Sequence, residues 1–167
     1  MSILTTSRCT LRPFTKADAE NLIPILGSEA VMRYSMTGVM DLPTISSTIN
    51  GWISLYESHE FGPWAVVHQG QLIGYAGLDS RVVEEIEQIQ ITFRLAEGHW
   101  GQGFATELAI AIRDYAFTKL QLPEIIAIID PENRASLRTI SKVGMQFEKT
   151  VIYGGLSLHM YKVAISC

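Results

Sequence analysis

Gly101-Gln102-Gly103-Phe104-Ala105-Thr106 stands between an alternating stretch that ends at Leu95 and a long run carrying Phe104, Leu108, Ile112 and Tyr115 at helical spacing. Glycines let a backbone turn tightly and approach a ligand closely. The first N–H groups of the following helix have no intrahelical acceptor and lie at the positive end of its dipole. Such a helix start holds phosphate without a basic side chain. The passage therefore predicts a phosphate-bearing ligand, and two classes compete. A dinucleotide fingerprint would have its third glycine replaced by Thr106, with Asp130 ending the next strand 27 positions after Gly103, where a ribose-binding acid would stand. Five residues separate Leu95 from Gly101, however, and too few strand–helix repeats follow to complete a doubly wound sheet. The lysine and hydroxyl pair of a P-loop is missing. Coenzyme A is the second class.

Other residues with chemical potential are sparse. Asn133 and Ser136 open an apolar-periodic run that reaches Val143; Asn133 suits a helix cap as well as a ligand contact. Gln90 lies on the polar side of the alternating stretch, where Gln88, Gln90, Thr92 and Arg94 face one way and Ile89, Ile91 and Phe93 the other. The carboxylates nearest to Gln90 in the chain, Glu84, Glu85 and Glu87, cluster as a solvated turn, and Glu87 has the wrong parity to share its face. His59, His68, His99 and His159 share no ligand spacing, and Cys9 and Cys167 lie at opposite ends, so no metal is expected and both thiols are expected free.

The resemblance that decides between the two ligand classes runs from about Thr6 to Val163. Trp100-Gly-Gln-Gly-Phe-Ala-Thr-Glu107 resembles the acyl-CoA pyrophosphate loop of the GCN5-related N-acetyltransferase (GNAT) superfamily, in the form used by its ribosomal-protein (RimJ/RimL-like) branch. Thr6-Ser-Arg-Cys-Thr-Leu-Arg-Pro-Phe14 resembles the opening strand of that branch, and Phe61-Gly-Pro-Trp64 with Ile73-Gly-Tyr-Ala-Gly-Leu78 its central hairpin. Glu132-Asn-Arg-Ala-Ser136 and Lys142-Val-Gly144 resemble the helix that follows.

The resemblance implies acetyl-CoA as acyl donor, a primary amine as acceptor, and no metal. It implies that backbone N–H groups from Gln102 to Thr106, with Gly101 and Gly103 shaping the loop, hold the pyrophosphate. Pantetheine would lie like an added strand along Phe93, Arg94 and Leu95, with Asn133 contacting it. The family's usual tyrosine acid corresponds to Ile140, leaving Ser136 as a hydrogen-bond donor to the departing thiolate. The family's glutamate base corresponds to Gln90, which takes no proton at neutral pH. An oxyanion would form near Ile91–Phe93. The acceptor best matched to a missing base is the α-amine of a protein or peptide. A catalytically reduced CoA-binding sensor is the non-enzymatic alternative.

The elements that must position these groups follow from the pattern. Thr15-Lys16-Ala17-Asp18 resembles a capping box ahead of Ala19, Leu22, Ile23 and Leu26, and Gly27 ends that helix. A second helix follows Pro43, carrying Ile45, Ile49, Trp52, Ile53 and Tyr56. Residues 64–67 and 72–78 read as a hairpin, 87–95 as a strand, and 124–129 as a buried strand ended by Asp130-Pro131. Two strands joined by Gly154-Gly155 close the chain. This order gives an α/β fold in one domain, residues 1–167: a mixed, mostly antiparallel sheet of about seven strands with about four helices, which the resemblance implies is splayed between its fourth and fifth strands. The 167 residues fit one domain, and a net charge of −4 disfavours direct nucleic-acid binding. No apolar run spans a membrane, and MSILTTSRCT lacks the apolar core of a signal peptide, so a cytoplasmic protein is expected. Nothing in the sequence speaks to oligomeric state.

Overall fold

The computed structural model describes residues 2–165, so the expectation for Cys167 lies outside the described residues. Eight strands form one sheet in the order β1-β2-β3-β4-β5-β6-β8-β7. They are β1 (Leu4–Thr5), β2 (Thr10–Arg12), β3 (Pro63–His68), β4 (Gln71–Val83), β5 (Ile86–Leu95), β6 (Glu124–Ile129), β7 (Gln146–Tyr153) and β8 (Leu156–Ala164). Four α-helices accompany them: α1 (Ala19–Leu26), α2 (Leu42–His59), α3 (Phe104–Thr118) and α4 (Arg134–Lys142).

The eighth strand arises because the opening stretch folds back on itself. The Thr6 N–H donates to the Cys9 carbonyl at 2.8 Å while the Thr6 hydroxyl accepts from the Cys9 N–H at 3.0 Å. That side-chain turn splits one expected strand into the β1–β2 pair. The central hairpin is also longer than its hydrophobic core, because β4 runs on to Val83 and turns through Glu84 and Glu85 at φ 49° and 70°. Two left-handed residues make the tight turn that matches strand twist, normally an Asn-Gly task. The turn was visible in the sequence as a charge cluster; Glu87 itself belongs to β5, accepting from the Ser80 hydroxyl at 2.8 Å.

Helices cover both faces of the sheet. Leu108, Ala109, Ile112 and Ala116 of α3 pack with Ile140 and Val143 beside Trp64, Leu78, Ile91 and Ile125. On the other face Leu22, Ile25, Leu26, Ile45 and Ile49 of α1 and α2 close over Ala65 and Tyr75. Asp18 caps the turn before α1, accepting from the Thr15 N–H at 2.8 Å and from both Arg12 guanidinium nitrogens at 2.9 Å.

One pairing organises the site. Every neighbouring pair is antiparallel except β5 with β6, and those two share a single bridge, Gln90 to Ile126. Beyond Gln90, β5 stays paired to β4 as far as Gly74–Leu95, and β6 stays paired to β8 as far as Ile129–His159. The two strands therefore part into a wedge whose facing backbone edges lack ladder partners. This is the expected splay between the two central strands. A single parallel bridge does not make a doubly wound sheet, and the gap before Gly101 holds a 3₁₀ turn, Glu97–His99; the dinucleotide alternative falls on both counts.

Candidate active site

Gly101 and Gly103 take φ 71° and 81°, and Gly103 is the N-cap of α3. A side chain is strained in that left-handed region, so these two positions need glycine. The first bond of α3 runs from the Glu107 N–H to the Gly103 carbonyl at 3.0 Å. Phe104, Ala105 and Thr106 thus present N–H groups with no intrahelical acceptor.

The back of the loop is braced by the N-terminal turn. Glu107 accepts from the Thr6 hydroxyl at 2.6 Å, the Arg8 N–H at 3.0 Å and Arg8 Nε at 2.8 Å. Burial pushes the Glu107 carboxyl up, but these donors outweigh it and hold the group below its ordinary value. Arg8 Nη1 also donates to the Gln102 carbonyl at 2.9 Å, and its guanidinium lies 4.0 Å from the Phe104 ring centroid. The Trp100 indole N–H donates to the Leu95 carbonyl at 2.9 Å, clipping the loop to the end of β5.

A cavity of about 610 Å³ opens in front of this loop, at the wedge. Phe93, Arg94, Leu95, Gly101, Gly103, Phe104, Ala105, Thr106, Asn133 and Ser136 all line it, so the chain folds these expected residues together. Gln102 is not on its wall: its side chain folds back to donate to the Gly98 carbonyl at 2.9 Å. Phe104 is 3% exposed, packed against His68 and His99, which leaves its backbone to face a ligand. Asn133 caps α4, accepting from the Ser136 N–H at 3.3 Å. Ile140 is buried in the core, so α4 presents no proton-donating side chain at that position.

Sequence reasoning missed Arg33, Tyr34, Arg138 and Lys142, which also line this cavity. Arg138 and Lys142 are one turn apart on α4, a spacing that places both on one face. Arg33 and Tyr34 sit in the irregular α1–α2 connection, where periodicity carries no signal. Arg33, Arg94, Arg138 and Lys142 line the cavity, and among the described residues no carboxylate does. A local cationic wall on a chain of net charge −4 fits a polyphosphate.

A second cavity of about 680 Å³ continues from the first across the wedge. Gln90 lies on its wall, with Arg81, Thr92, Arg94 and Asp130. Asp79 stands opposite Gln90 in the β4–β5 register and pairs with Arg81 at 2.7 Å. Burial raises its carboxyl, and Arg81 only partly offsets that. The described cysteine, Cys9, is 3% exposed in the core, and burial pushes its thiol up.

Comparison with known proteins agrees with this geometry. YoaA of Bacillus subtilis (strain 168), named an uncharacterized N-acetyltransferase, is 29% identical over 163 residues, covering 96% of this chain and 89% of that one. A CoA complex of RimL, named a ribosomal L7/L12 alpha-N-protein acetyltransferase, superposes with a TM-score of 0.84 at 16% identity, covering 99% and 98% of the two chains. The aminoglycoside acetyltransferase AAC(6')-Ib, in complex with paromomycin and acetyl-CoA, gives 0.79 at 21% identity, covering 95% and 94%. The family model for the acetyltransferase (GNAT) domain matches residues 8–146. The chain therefore belongs to the GNAT acetyltransferases and carries acetyl from acetyl-CoA to an amine nitrogen.

Proposed function

We propose that the acceptor is an α-amine, with a peptide or protein N-terminus the first candidate, and that the amine attacks the thioester directly in a ternary complex. The charge of the acceptor cavity carries this reading. Arg33 and Arg94 line it with Arg81, whose charge is paired to Asp79 at 2.7 Å, and with one carboxylate among the described residues, Asp130, whose Oδ1 is already engaged by the Glu132 N–H at 2.9 Å. A polycation such as an aminoglycoside meets repulsion on such a wall, and an amine that arrives neutral does not.

An α-amine has a pKa of ~7.8 and a lysine side chain ~10.4, so deprotonating lysine costs ~3.5 kcal/mol more near neutral pH. Gln90 cannot offset that difference. Met32, Met36, Met40, Leu156 and Leu158 give the cavity an apolar rim, which suits the side chains of a peptide. The RimL neighbour, named an alpha-N-protein acetyltransferase, lends support to such an acceptor. The resemblance of the Trp100–Glu107 loop to the ribosomal-protein branch points the same way. With Cys9 in the core, among the described residues no thiol stands at the cavities to form an acyl-enzyme.

Binding supplies most of the catalysis in this reading, by orienting amine and thioester. Backbone N–H groups near Ile91–Phe93, at the open edge of β5, supply donors for the oxyanion. The test compares kcat/KM for a peptide with a free N-terminus against the same peptide N-blocked and carrying an accessible lysine. A preference of at least tenfold for the free N-terminus is expected; a preference for the lysine peptide contradicts the reading.

A further inference from the structure

The strands that part beyond Gln90 are joined a second time, through two loops that meet at the second cavity. On the β5 side, Arg94 reaches the α1–α2 connection: its Nη1 donates to the Val31 carbonyl at 3.3 Å and its Nε to the Tyr75 hydroxyl at 3.0 Å. On the β6 side, the β6–β8 ladder carries the chain to the turn between β7 and β8. Met36 of the connection and Gly154 of the turn complete the circuit. A Cβ built on Gly154 would overlap Met36 Cε and stand 3.6 Å from Met36 Sδ. Met36, Tyr153 and Leu156 all line the cavity that this circuit borders. We infer that Met36, seated on Gly154, sets the girth of the acceptor passage, so that the enzyme selects amines whose neighbouring substituent is small.

The turn itself does not demand glycine at position 154. Gly154 and Gly155 take φ 58° and 79° between the paired residues Tyr153 and Leu156. Asparagine followed by glycine fills such a two-residue turn readily. A Cβ on Gly155 would stand in open space, whereas the place of a Cβ on Gly154 is taken by the Met36 methyl. The bare backbone at 154 is thus a seat for that side chain. Both loops are held where they meet. The Ser35 N–H donates to the Met32 carbonyl at 3.0 Å, and the Gly38 N–H donates to the Ser35 hydroxyl at 2.9 Å, closing a turn around Met36. Met32 is buried with α1 and α2. Across from it, Val151 and Leu158 bury the stem of the β7–β8 turn against Ile126.

Met36 is itself 49% exposed. Its side chain is unbranched and polarizable, and it rests on glycine through dispersion alone. A slender acceptor passes with that contact intact. A bulky one must lift the methyl from its seat, losing the contact and ordering a flexible side chain elsewhere. Apolar walls discriminate by girth in this way by roughly 10–200-fold. This selection rests on the proposed acceptor lying in the second cavity, and it holds whichever amine attacks.

The experiment measures kcat/KM for two peptides that differ only in a first residue of alanine or tryptophan. The enzymes are the native chain, Met36→Ala, Gly154→Asn and the double variant, with acetyl-CoA binding by calorimetry to show that each is folded. The native enzyme should favour the alanine peptide at least tenfold. Asparagine keeps the turn but evicts Met36, and alanine at 36 empties the seat from the other side. Each single variant should therefore raise kcat/KM for the tryptophan peptide at least fivefold above native, a gain that a merely weakened fold does not give. The double variant should gain no more than the better single one, because both remove the same contact. If Gly154→Asn folds poorly, Met36→Ala still decides. A native enzyme indifferent to the first residue, or a folded Met36→Ala with no gain on tryptophan, overturns the inference. A preference for the lysine peptide over the free N-terminus overturns the acceptor reading alone. Alanine or tryptophan is then placed beside that lysine, and the same gain decides.

Discussion

Gly103 concentrates the requirements of the proposed donor loop in one residue. It caps α3 at φ 81°, and a Cβ built there would stand 3.4 Å from Arg8 Nη2, the guanidinium that braces the loop from behind. Valine at this position is strained in its backbone and presses on that brace, so the N–H groups of Phe104 to Thr106 lose their common aim. Gly103→Val should therefore weaken CoA affinity by at least tenfold, ~1.4 kcal/mol, in a chain that still folds. Calorimetry on a variant with native circular dichroism checks this, and unchanged affinity would remove the pyrophosphate from the loop. At this scale the loop was legible from the spacing of two glycines before an apolar-periodic run. The brace was not, because Thr6 and Arg8 lie about a hundred positions from Glu107 and no local pattern links them. Tyr34 was equally hidden, being set by tertiary contacts of a turn with neither alternation nor helical period.

Elements hold the site through a few buried polar ties, and Arg12–Asp18 is the one that fixes α1 against β2. Asp18 is 5% exposed; burial pushes its carboxyl up, yet the Arg12 guanidinium and the Thr15 N–H outweigh that and lower it. A carboxyl held low in the fold contributes stability above its unfolded pKa and loses that contribution as pH falls through the folded one. Asp18→Asn should then cost about 2 kcal/mol at pH 7, with the gap to native closing as pH drops below the ordinary aspartate value of 3.8. Urea midpoints at pH 7 and pH 3 measure it; a gap that stays constant would show that the charge contributes nothing. The capping pattern at Thr15–Asp18 announced this helix start, but its partner Arg12 is a tertiary fact. The alternation in β5 and the apolar run of β6 likewise located both strands. Their splay was implied by family resemblance alone, and the single bridge at Gln90 came only with the structure, since side-chain pattern carries no record of where two backbones part.

Across the whole molecule, the sheet serves as a divided floor. Wedged strands open two adjoining cavities, one with a cationic wall beside the Gly101–Thr106 loop and the other lined in part by apolar side chains, where the proposed reading puts the acceptor. In the proposed reading such a layout brings two substrates together without a covalent stop between them, and the described cysteine lies in the core. Single-turnover release of CoA thiol tests this most directly, with enzyme in excess over acetyl-CoA, with and without a peptide bearing a free N-terminus. Thiol release should stay at the hydrolytic background until the peptide is added, then match acetylated peptide mole for mole. A stoichiometric burst of thiol without peptide, leaving acetyl on the protein, would contradict direct transfer between the two cavities.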